Sequence, residues 1–588
     1  MRPAVCRICG ARELAFACSG TTTSPPSEQL SPSRHHPGKQ PELHRCRRCG
    51  VLQAHVAEAE LRAAYTDMQD EIYIAEELAR RVTCRRLLDR VDRSGAALRI
   101  LDVGCGPGLL LDEARRRGWD AYGVELSAWA VGRARARGIE VFHGTLEDAA
   151  YPDVHFDAVF MVDVLEHLAD PVRTLVEVTR VLRPGGILCL VTPDADSAAA
   201  RVLGSRWWGM LPGHVVLFPR RVTVELVGAL GYEVSSARPG AKHFSIDYLL
   251  GSLAAYMPGA ERTRRLIART RLGRQVVPVN LLDERVLVAI RLQSTATAGS
   301  APSGLVIPAP TSRGRCTAAR TRLPKGFAAW TLLPPHTSDA EAAAAARRLG
   351  TGLAGPSAAR SYGATQKACL VQAARHQAAA VVVVKADNEY DSQLIAGLAE
   401  PILRGHADLV LGCRRLDEPA IRARMPRWKR LGNKVLSSLE RWTFGLDVEE
   451  FHSGYRAVSP ALVERVPFLR NSDGLLFDQE LVSQAVALGL RVVEVPLPAR
   501  YFVNASPVGP RDSVGYGMGT LWVLGRHLLH NAGMRWSRND PAWHAPIIAR
   551  ARALGRSAQA AQAAHDEAPA AARTEPANRS RAAGGRGR

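Results

Sequence analysis

The chain has little cysteine, a deficit of acidic residues and no long apolar run. Its 588 residues include 11 cysteines, too few for a disulfide-stapled scaffold, and four of these stand as two Cys-x-x-Cys pairs, an arrangement of metal ligands. No apolar stretch reaches the length needed to span a bilayer, and no secretory leader is read, so the expected location is cytoplasmic. Asp and Glu number 57 against 77 Lys and Arg, a net charge of +20. Such an excess suits anionic neighbours, whether nucleic acid, lipid head groups or acidic sugar-nucleotide substrates. Part of it reflects arginine and alanine used freely throughout, and part lies in the tail Arg573–Arg588, which has no apolar periodicity. Apolar residues make up 46%, as expected of a folded soluble protein, and the length is too great for one core, which implies about three or four domains.

What the chain does have is concentrated at Ile100–Gly108 (ILDVGCGPG), a buried strand breaking into a glycine-rich turn before a helix from Leu109 to Arg117. Gly104, Gly106 and Gly108 let the backbone approach a ligand where a Cβ would collide, and the helix opens toward it. The next strand, Asp120–Glu125, ends in an acid placed to accept both hydroxyls of a ribose. Then come Phe156–His167 (FDAVFMVDVLEH), a strand running into an acid-rich loop, and Leu182–Ile187 (LRPGGI), a turn feeding another apolar strand. In this order the segments resemble the S-adenosylmethionine-dependent methyltransferases of the Rossmann-like class, in the subgroup with Asp-Val-Leu-Glu-His after the fourth strand. The resemblance implies that Asp102 and Gly104 lie beside the methionine part of the cofactor, that Glu125 holds the ribose, and that Thr145–Glu147 flanks the adenine. Where many relatives carry Asp, this chain has Thr145, which moves the adenine contact to Glu147, Asp148 or the backbone. Asp163 completes the expected cofactor wall. A dehydrogenase is disfavoured because the turn is not Gly-x-Gly-x-x-Gly.

Methyl transfer asks mainly for alignment, since the sulfonium is already activated. A base is needed only for hydroxyl, amine or carbon acceptors, and His167 and His214 are the candidates. His167 follows the fourth strand, where the acceptor approaches, and His214 lies in the aromatic cluster Trp207–Phe218. The alternative is that Glu166 and His167 orient the cofactor or cap the next helix. No Asn-Pro-Pro-Tyr loop occurs at the Asp163 position, which argues against a nucleic-acid base as acceptor.

Ahead of this unit stand Cys6-x-x-Cys9 and Cys46-x-x-Cys49, each followed by glycine, at Gly10 and Gly50. Two such pairs form a tetrahedral tetrathiolate zinc site, structural because four thiolates leave no open position. A Ser/Pro/His-rich insertion, Gly20–Pro41, separates them, and Cys18 lies outside the pattern.

After a breaker-rich linker at 296–304 the pattern changes. Leu305–Ala309, Ala379–Asp391, Asp408–Arg414, Phe451–Ala457, Phe477–Glu480 and Val493–Pro496 follow one another, and in this series the chain resembles glycosyltransferase family 2, most closely the polyprenyl-phosphate sugar synthase branch. The resemblance covers about Leu305 to Trp522 and is uneven. Pro334 and Pro335 stand where the family has the two acids that bind the nucleotide, and proline offers neither acceptor nor amide hydrogen. Asp387 and Asp391 survive and suit a divalent metal, magnesium or manganese, against a diphosphate. Arg414 and Arg456 are candidates for gripping a phosphate. The segment Val514–Leu529 reads as a docking helix or one resting on a membrane surface.

The expected architecture is therefore α/β throughout: a zinc knuckle with its insertion (1–57), a Rossmann-like methyltransferase (58–295), the linker (296–304), a GT-A-like glycosyltransferase domain with a degenerate donor site (305–535) and a basic tail (536–588). The expected acceptor is a small molecule or a glycan- or lipid-linked one in cell-envelope polysaccharide, glycolipid or related synthesis, with the protein at the inner face of the membrane. The alternatives are a bifunctional methyltransferase and glycosyltransferase using a nucleotide sugar, and a zinc-knuckle nucleic-acid methyltransferase.

Overall fold

The structure is a computed structural model that describes residues 5–20, 41–92, 95, 97–254, 260–268, 270–291, 304–309, 327–333, 352–356, 362–376, 378–385, 392–414, 426–497, 510–534, 544, 546–550 and 553.

The two Cys-x-x-Cys pairs fold into matching knuckles. Gly10 and Gly50 adopt φ of +69° and +89°, a region open to glycine at little cost, and their amides turn back to the carbonyls of Cys6 and Cys46 at 2.9 Å each. Strands β1 (Leu14–Cys18), β2 (Leu43–Cys46) and β3 (Leu52–Ala54) form an antiparallel ribbon carrying the knuckles.

The central sheet is built from β4 (Arg99–Val103), β5 (Asp120–Glu125), β6 (Glu140–His143), β7 (Phe156–Val162), β8 (Leu182–Pro193), β10 (Tyr232–Pro239) and β13 (Glu284–Arg291), with β9 (Val216–Leu217), β11 (Lys242–Ser245) and β12 (Val276–Val279) outside it. Its order is β10-β13-β8-β7-β4-β5-β6, and β13 is antiparallel to both of its neighbours. The core strands are almost continuously buried, as a sheet covered on both faces requires. Helices α1 (Glu58–Thr66), α2 (Leu109–Arg115), α3 (Pro171–Val181) and α4 (Arg220–Ala229) surround it. The chain order reverses between β4 and β7, so the loops leaving their C-terminal ends part and open a crevice, the usual ligand position in such sheets. This is the Rossmann-like methyltransferase architecture expected from the sequence.

β9 serves a second purpose. Leu52 and Gln53 of β3 pair with Leu217 and Val216, making β9 the fourth strand of the cysteine ribbon. Arg7 adds hydrogen bonds to the carbonyls of Ala169 and Val56, 2.7 Å each. The knuckles are thereby stitched onto the loops that flank the crevice.

The second half holds another doubly wound sheet, of β14 (Gly304–Ala309), β15 (Phe327–Leu333), β16 (Gly352–Pro356), β17 (Val381–Lys385), β18 (Leu409–Arg414), β19 (Arg456–Val458) and β20 (Val492–Leu497). Its order is β16-β15-β14-β17-β19-β18-β20, and β19 is antiparallel to β17 and β18. Helices α5 (Arg427–Phe444) and α6 (Pro510–Asn531) lie beside each other on this unit. Arg470 pairs with Glu225 of α4 at 2.9 Å, both groups buried, and Leu469 packs at Gly228, joining the two halves. Arg221 also lies 3.6 Å from Glu225, and breaking the buried Arg470–Glu225 pair is expected to cost up to roughly 3–5 kcal/mol. Among the described residues no helix is long and apolar enough to cross a membrane.

Candidate active site

The crevice between β4 and β7 is a cavity of about 820 Å³. One wall is the glycine turn. Gly104 has φ +70° and a Cβ there would lie 2.6 Å from Val164 Cγ2, so both its conformation and its close approach demand glycine. Glu125, at the end of β5, accepts from the Gly106 amide through Oε2 and from the Ser127 amide through Oε1, 2.8 Å each. Burial pushes its carboxyl pKa up despite these bonds. Asp102, at the end of β4, is buried, and burial together with the Glu125 charge holds its pKa well above the usual range. Two buried acids whose ionisation their surroundings oppose form a wall that gains from a cationic ligand. Thr145 caps the short helix Leu146–Ala149 through the Asp148 amide, and Glu147 accepts from the Thr174 hydroxyl at 2.8 Å.

The opposite wall comes from the loop after β7 and from Lys242 and Glu284, 79 and 121 residues beyond Asp163. Asp163 sits at φ +56°, a left-handed conformation costing about 1 kcal/mol or more for a residue with a Cβ. Its Oδ2 takes a 2.8 Å ion pair from Lys242, while Oδ1 is buried without a hydrogen-bond partner among the described residues. Lys242 also pairs with Glu284. One ammonium faces two carboxylates, so its own pKa rises, while burial and the Asp163 charge, against the pull of Lys242, push Glu284 up to about 7. Between 4.5 and about 7 the folded protein keeps a proton on Glu284 that the unfolded chain releases, so stability falls as pH rises through that window. Glu284→Gln is expected to leave stability unchanged near pH 4.5 and to raise it by up to about 3 kcal/mol near pH 8. Denaturant melts of both proteins across that range test this, and a difference independent of pH would refute it.

Between the walls stand Glu166, His167 and His214, whose ligand-capable atoms all lie within 4.8 Å of one another. His214 Nδ1 meets the Gly209 carbonyl at 2.8 Å and His167 Nδ1 meets the Gly213 carbonyl at 2.9 Å. A carbonyl only accepts, so each Nδ1 carries the hydrogen and each Nε2 keeps its lone pair. Tyr65 adds its hydroxyl to His167 Nδ1. Burial lowers His167 to about 4 and His214 well below the ordinary value, so both are neutral at pH 7. Glu166 accepts from the Thr192 hydroxyl at 2.9 Å, and burial with the Asp163 charge raises it to about 8. Two neutral imidazoles oriented by carbonyls beside a carboxyl form a donor set that can hold a divalent cation.

Of the residues singled out by sequence, Asp102, Gly104, Gly106, Glu125, Glu147, Asp163, His167 and His214 all line this one cavity. Gly108 does not: it starts α2 at φ +79°, and a Cβ would meet Ile139 Cδ1 at 2.8 Å, so it serves packing. His167 does not cap the following helix, because Asp170 does, accepting from the Arg173 amide. The sulfurs of Cys6, Cys9, Cys46 and Cys49 lie within 4.8 Å of one another, with Cys6–Cys49 and Cys9–Cys46 at 3.6 Å. Pro334, Pro335, Asp387 and Asp391 lie outside the described residues. Arg414 ends β18. Arg456 is turned inward and buried, its Nη2 paired with Asp478 at 2.7 Å, so it faces an internal acid where the sequence suggests a phosphate grip. Sequence reasoning missed Tyr65, Lys242 and Glu284, and also Asp283, which accepts from the Trp207 and Trp208 indoles and so pins the aromatic cluster. These residues belong to no local motif and reach the cavity only through the fold.

Comparison with known proteins bears on the same region. Residues 74–237 match the model of a methyltransferase-domain family. The ubiquinone biosynthesis O-methyltransferase of Cereibacter sphaeroides is 34% identical over 118 residues, 19% of this chain and 48% of that protein. Its Xanthomonas oryzae counterpart is 38% identical over 117 residues, again 19% and 48%. The chain thus spans about half the length of these curated relatives. Among solved structures, the magnesium protoporphyrin IX methyltransferase of Synechocystis with bound SAH is 18% identical, covers 39% of this chain and 90% of its own, and has a TM-score of 0.26. Residues 74–237, which hold the glycine turn, Glu125 and the Glu166–His167–His214 group, are a methyltransferase domain of the S-adenosylmethionine-dependent class.

Proposed function

We propose that the chain methylates a hydroxyl of a small, or glycan- or lipid-linked, acceptor, in the synthesis of a cell-envelope glycolipid, polysaccharide or related metabolite, at the inner face of the membrane. The observation that carries this reading is a single cavity with the glycine turn and Glu125 on one wall and Glu166, His167 and His214 facing them. S-adenosylmethionine, when bound, supplies an electrophilic methyl group. Asp102 and Glu125 hold its charged and hydroxyl groups, and Glu147 or Asp148 flanks its base. The acceptor lies against His167 and His214. Imidazoles held well below their ordinary pKa by burial, His167 at about 4, are weak proton acceptors, so their depressed basicity favours a different role from that of the expected base. With Glu166 they suit a magnesium or manganese ion, which would lower the pKa of an acceptor hydroxyl. The O-methyltransferase names of the relatives point the same way.

The test is transfer of labelled methyl groups from S-adenosylmethionine to cell-envelope extracts, with products read by mass spectrometry. Glu166→Ala is expected to lower kcat on the order of a hundredfold, about 3 kcal/mol, with cofactor affinity unchanged. A fully active Glu166→Ala enzyme would sink the role given to this group.

Two further parts belong to the reading. Sulfurs 2.3 Å from a tetrahedral zinc are about 3.8 Å apart, and the 3.6 Å contacts of Cys6–Cys49 and Cys9–Cys46 fit that spacing, which supports a structural zinc knuckle. The second sheet, with its lone antiparallel strand among parallel ones, supports a glycosyltransferase family 2-like unit over 305–535, with nucleotide binding impaired by Pro334 and Pro335.

A further inference from the structure

Part of the basic tail is docked on the molecule. His544, Ile547 and Ile548 are 0%, 0% and 3% exposed, and residues 546–550 are helical. His544 faces the second half of the chain. Its ring stands edge-on to Phe468, centroids 5.0 Å apart, and its Nε2 meets the Val463 carbonyl at 3.2 Å, so that nitrogen carries the hydrogen. A turn further on, Ile547 and Ile548 join the apolar cluster that holds Val172 and Leu175 of α3 and the four knuckle cysteines. The segment thus crosses from one half of the chain to the other, and it buries its two isoleucines as a core element does.

Arg550, at the end of this strap, reaches the wall of the cavity. Its Nη2 pairs with Asp170, and its Nη1 donates to the Arg7 carbonyl at 3.2 Å. Arg7 in turn donates to the Ala169 carbonyl at 2.7 Å. Two arginines, from positions 7 and 550, therefore grip successive residues of the loop that leaves His167. Leu168, Ala169 and Asp170 all line the cavity, and Asp170 Oδ1 caps α3 by accepting from the Arg173 amide at 3.1 Å. A guanidinium suits the task, because its planar fork serves two acceptors in one fixed geometry. Only Leu168 and Ala169 separate Asp170 from His167, so a shift of the capping carboxylate passes to the imidazole with little slack, and small misplacements at a reacting centre are costly.

We propose that His544 and residues 546–550 are a working part of the methyltransferase. Arg550 is a positioning residue: through Asp170 it fixes the 167–170 loop, and it makes methyl transfer depend on the second half of the chain. The inference rests on the reading of His167 and His214 as the acceptor side of the cavity. The glycine turn and Glu125 stand on the other wall, on elements the strap does not grip, so cofactor binding is spared. A strap that merely braced the fold would lower the melting temperature and leave the rate alone.

The experiment compares the full chain with Arg550→Ala and Arg550→Lys. The Arg550 side chain is 38% exposed, so neither substitution opens the core. Amide hydrogen exchange, read by mass spectrometry, reports on the loop whatever the acceptor is: Arg550→Ala speeds exchange at 168–174 about tenfold and leaves the glycine turn as it was. Transfer of labelled methyl groups from saturating S-adenosylmethionine to cell-envelope extract falls about tenfold, with calorimetric affinity for the cofactor unchanged. Arg550→Lys, which keeps the charge and one of the two contacts, recovers part of the rate. Asp170→Asn keeps a side chain that caps as well as Asp and removes the charge; once it is in place, Arg550→Ala slows transfer no further. Exchange in Arg550→Ala equal to that of the parent, or a lowered melting temperature with transfer intact, overturns the proposal. A parent that binds S-adenosylmethionine and methylates nothing in the extract fails the acceptor reading instead, and the exchange measurement then decides the strap by itself.

Discussion

Gly104→Val is expected to abolish binding of S-adenosylmethionine, weakening it by roughly a hundredfold or more, about 3 kcal/mol. Two effects combine at this position. The backbone is held at φ +70° and a Cβ would press within 2.6 Å of Val164 Cγ2, and Val164 belongs to the loop that forms the facing wall. The substitution strains the turn and pushes the two walls apart at once. Glu125→Ala and Asp102→Ala act differently. Glu125 ties the Gly106 and Ser127 amides together, so its loss removes a ligand contact and unties the turn; Asp102 is a buried carboxyl whose ionisation a cationic ligand would favour. Each is expected to cost tenfold or more, about 1.4 kcal/mol. Calorimetric titration of the full chain decides this, and unchanged affinity in all three variants would show that the cofactor binds elsewhere.

The second large effect concerns the cysteine centre. Removing its metal, or making Cys46→Ser, is expected to lower the melting temperature by about 10–20 °C, since structural zinc supplies several kcal/mol of folding free energy. The consequence does not stop at the ribbon. Ala54, at the end of β3, donates its amide to the Val215 carbonyl, and the Val215 amide bonds the carbonyl of Glu166, at 2.8 and 2.9 Å. Only two hydrogen bonds therefore separate the cysteine ribbon from Glu166 and the neighbourhood of His214. Activity is expected to fall with the metal and to return on adding zinc. Elemental analysis should find one zinc per chain. A metal-free protein that melts at the same temperature with and without chelator would make the knuckles a fold without an ion.

The methyltransferase half was readable because its signals are local. The glycine turn, the acid ending β5 and the Asp163–His167 loop each declare themselves within a dozen residues, and their order along the chain implies parallel strands around a switch point. The paired cysteines are equally local. In the second half the segments Ala379–Asp391 and Asp408–Arg414 carry apolar runs, and the structure has strands within them at Val381–Lys385 and Leu409–Arg414. Arg456 illustrates the converse: a cation in sequence shows its charge but not its partner, and Asp478, which pairs with it, comes from another element.

By itself, the sequence determined the class of the first fold, the cofactor turn and the two cysteine knuckles, since these depend on backbone conformation and on ligands spaced two residues apart. Tertiary structure alone decided what faces the cofactor. Lys242 and Glu284 reach Asp163 from 79 and 121 positions away, and Tyr65 reaches His167 from 102. It also decided the state of those groups: burial holds His167 and His214 below their ordinary pKa and Glu166 above its own. Desolvation acts through every atom packed around a group, whatever its distance along the chain, and no local pattern in the sequence encodes it.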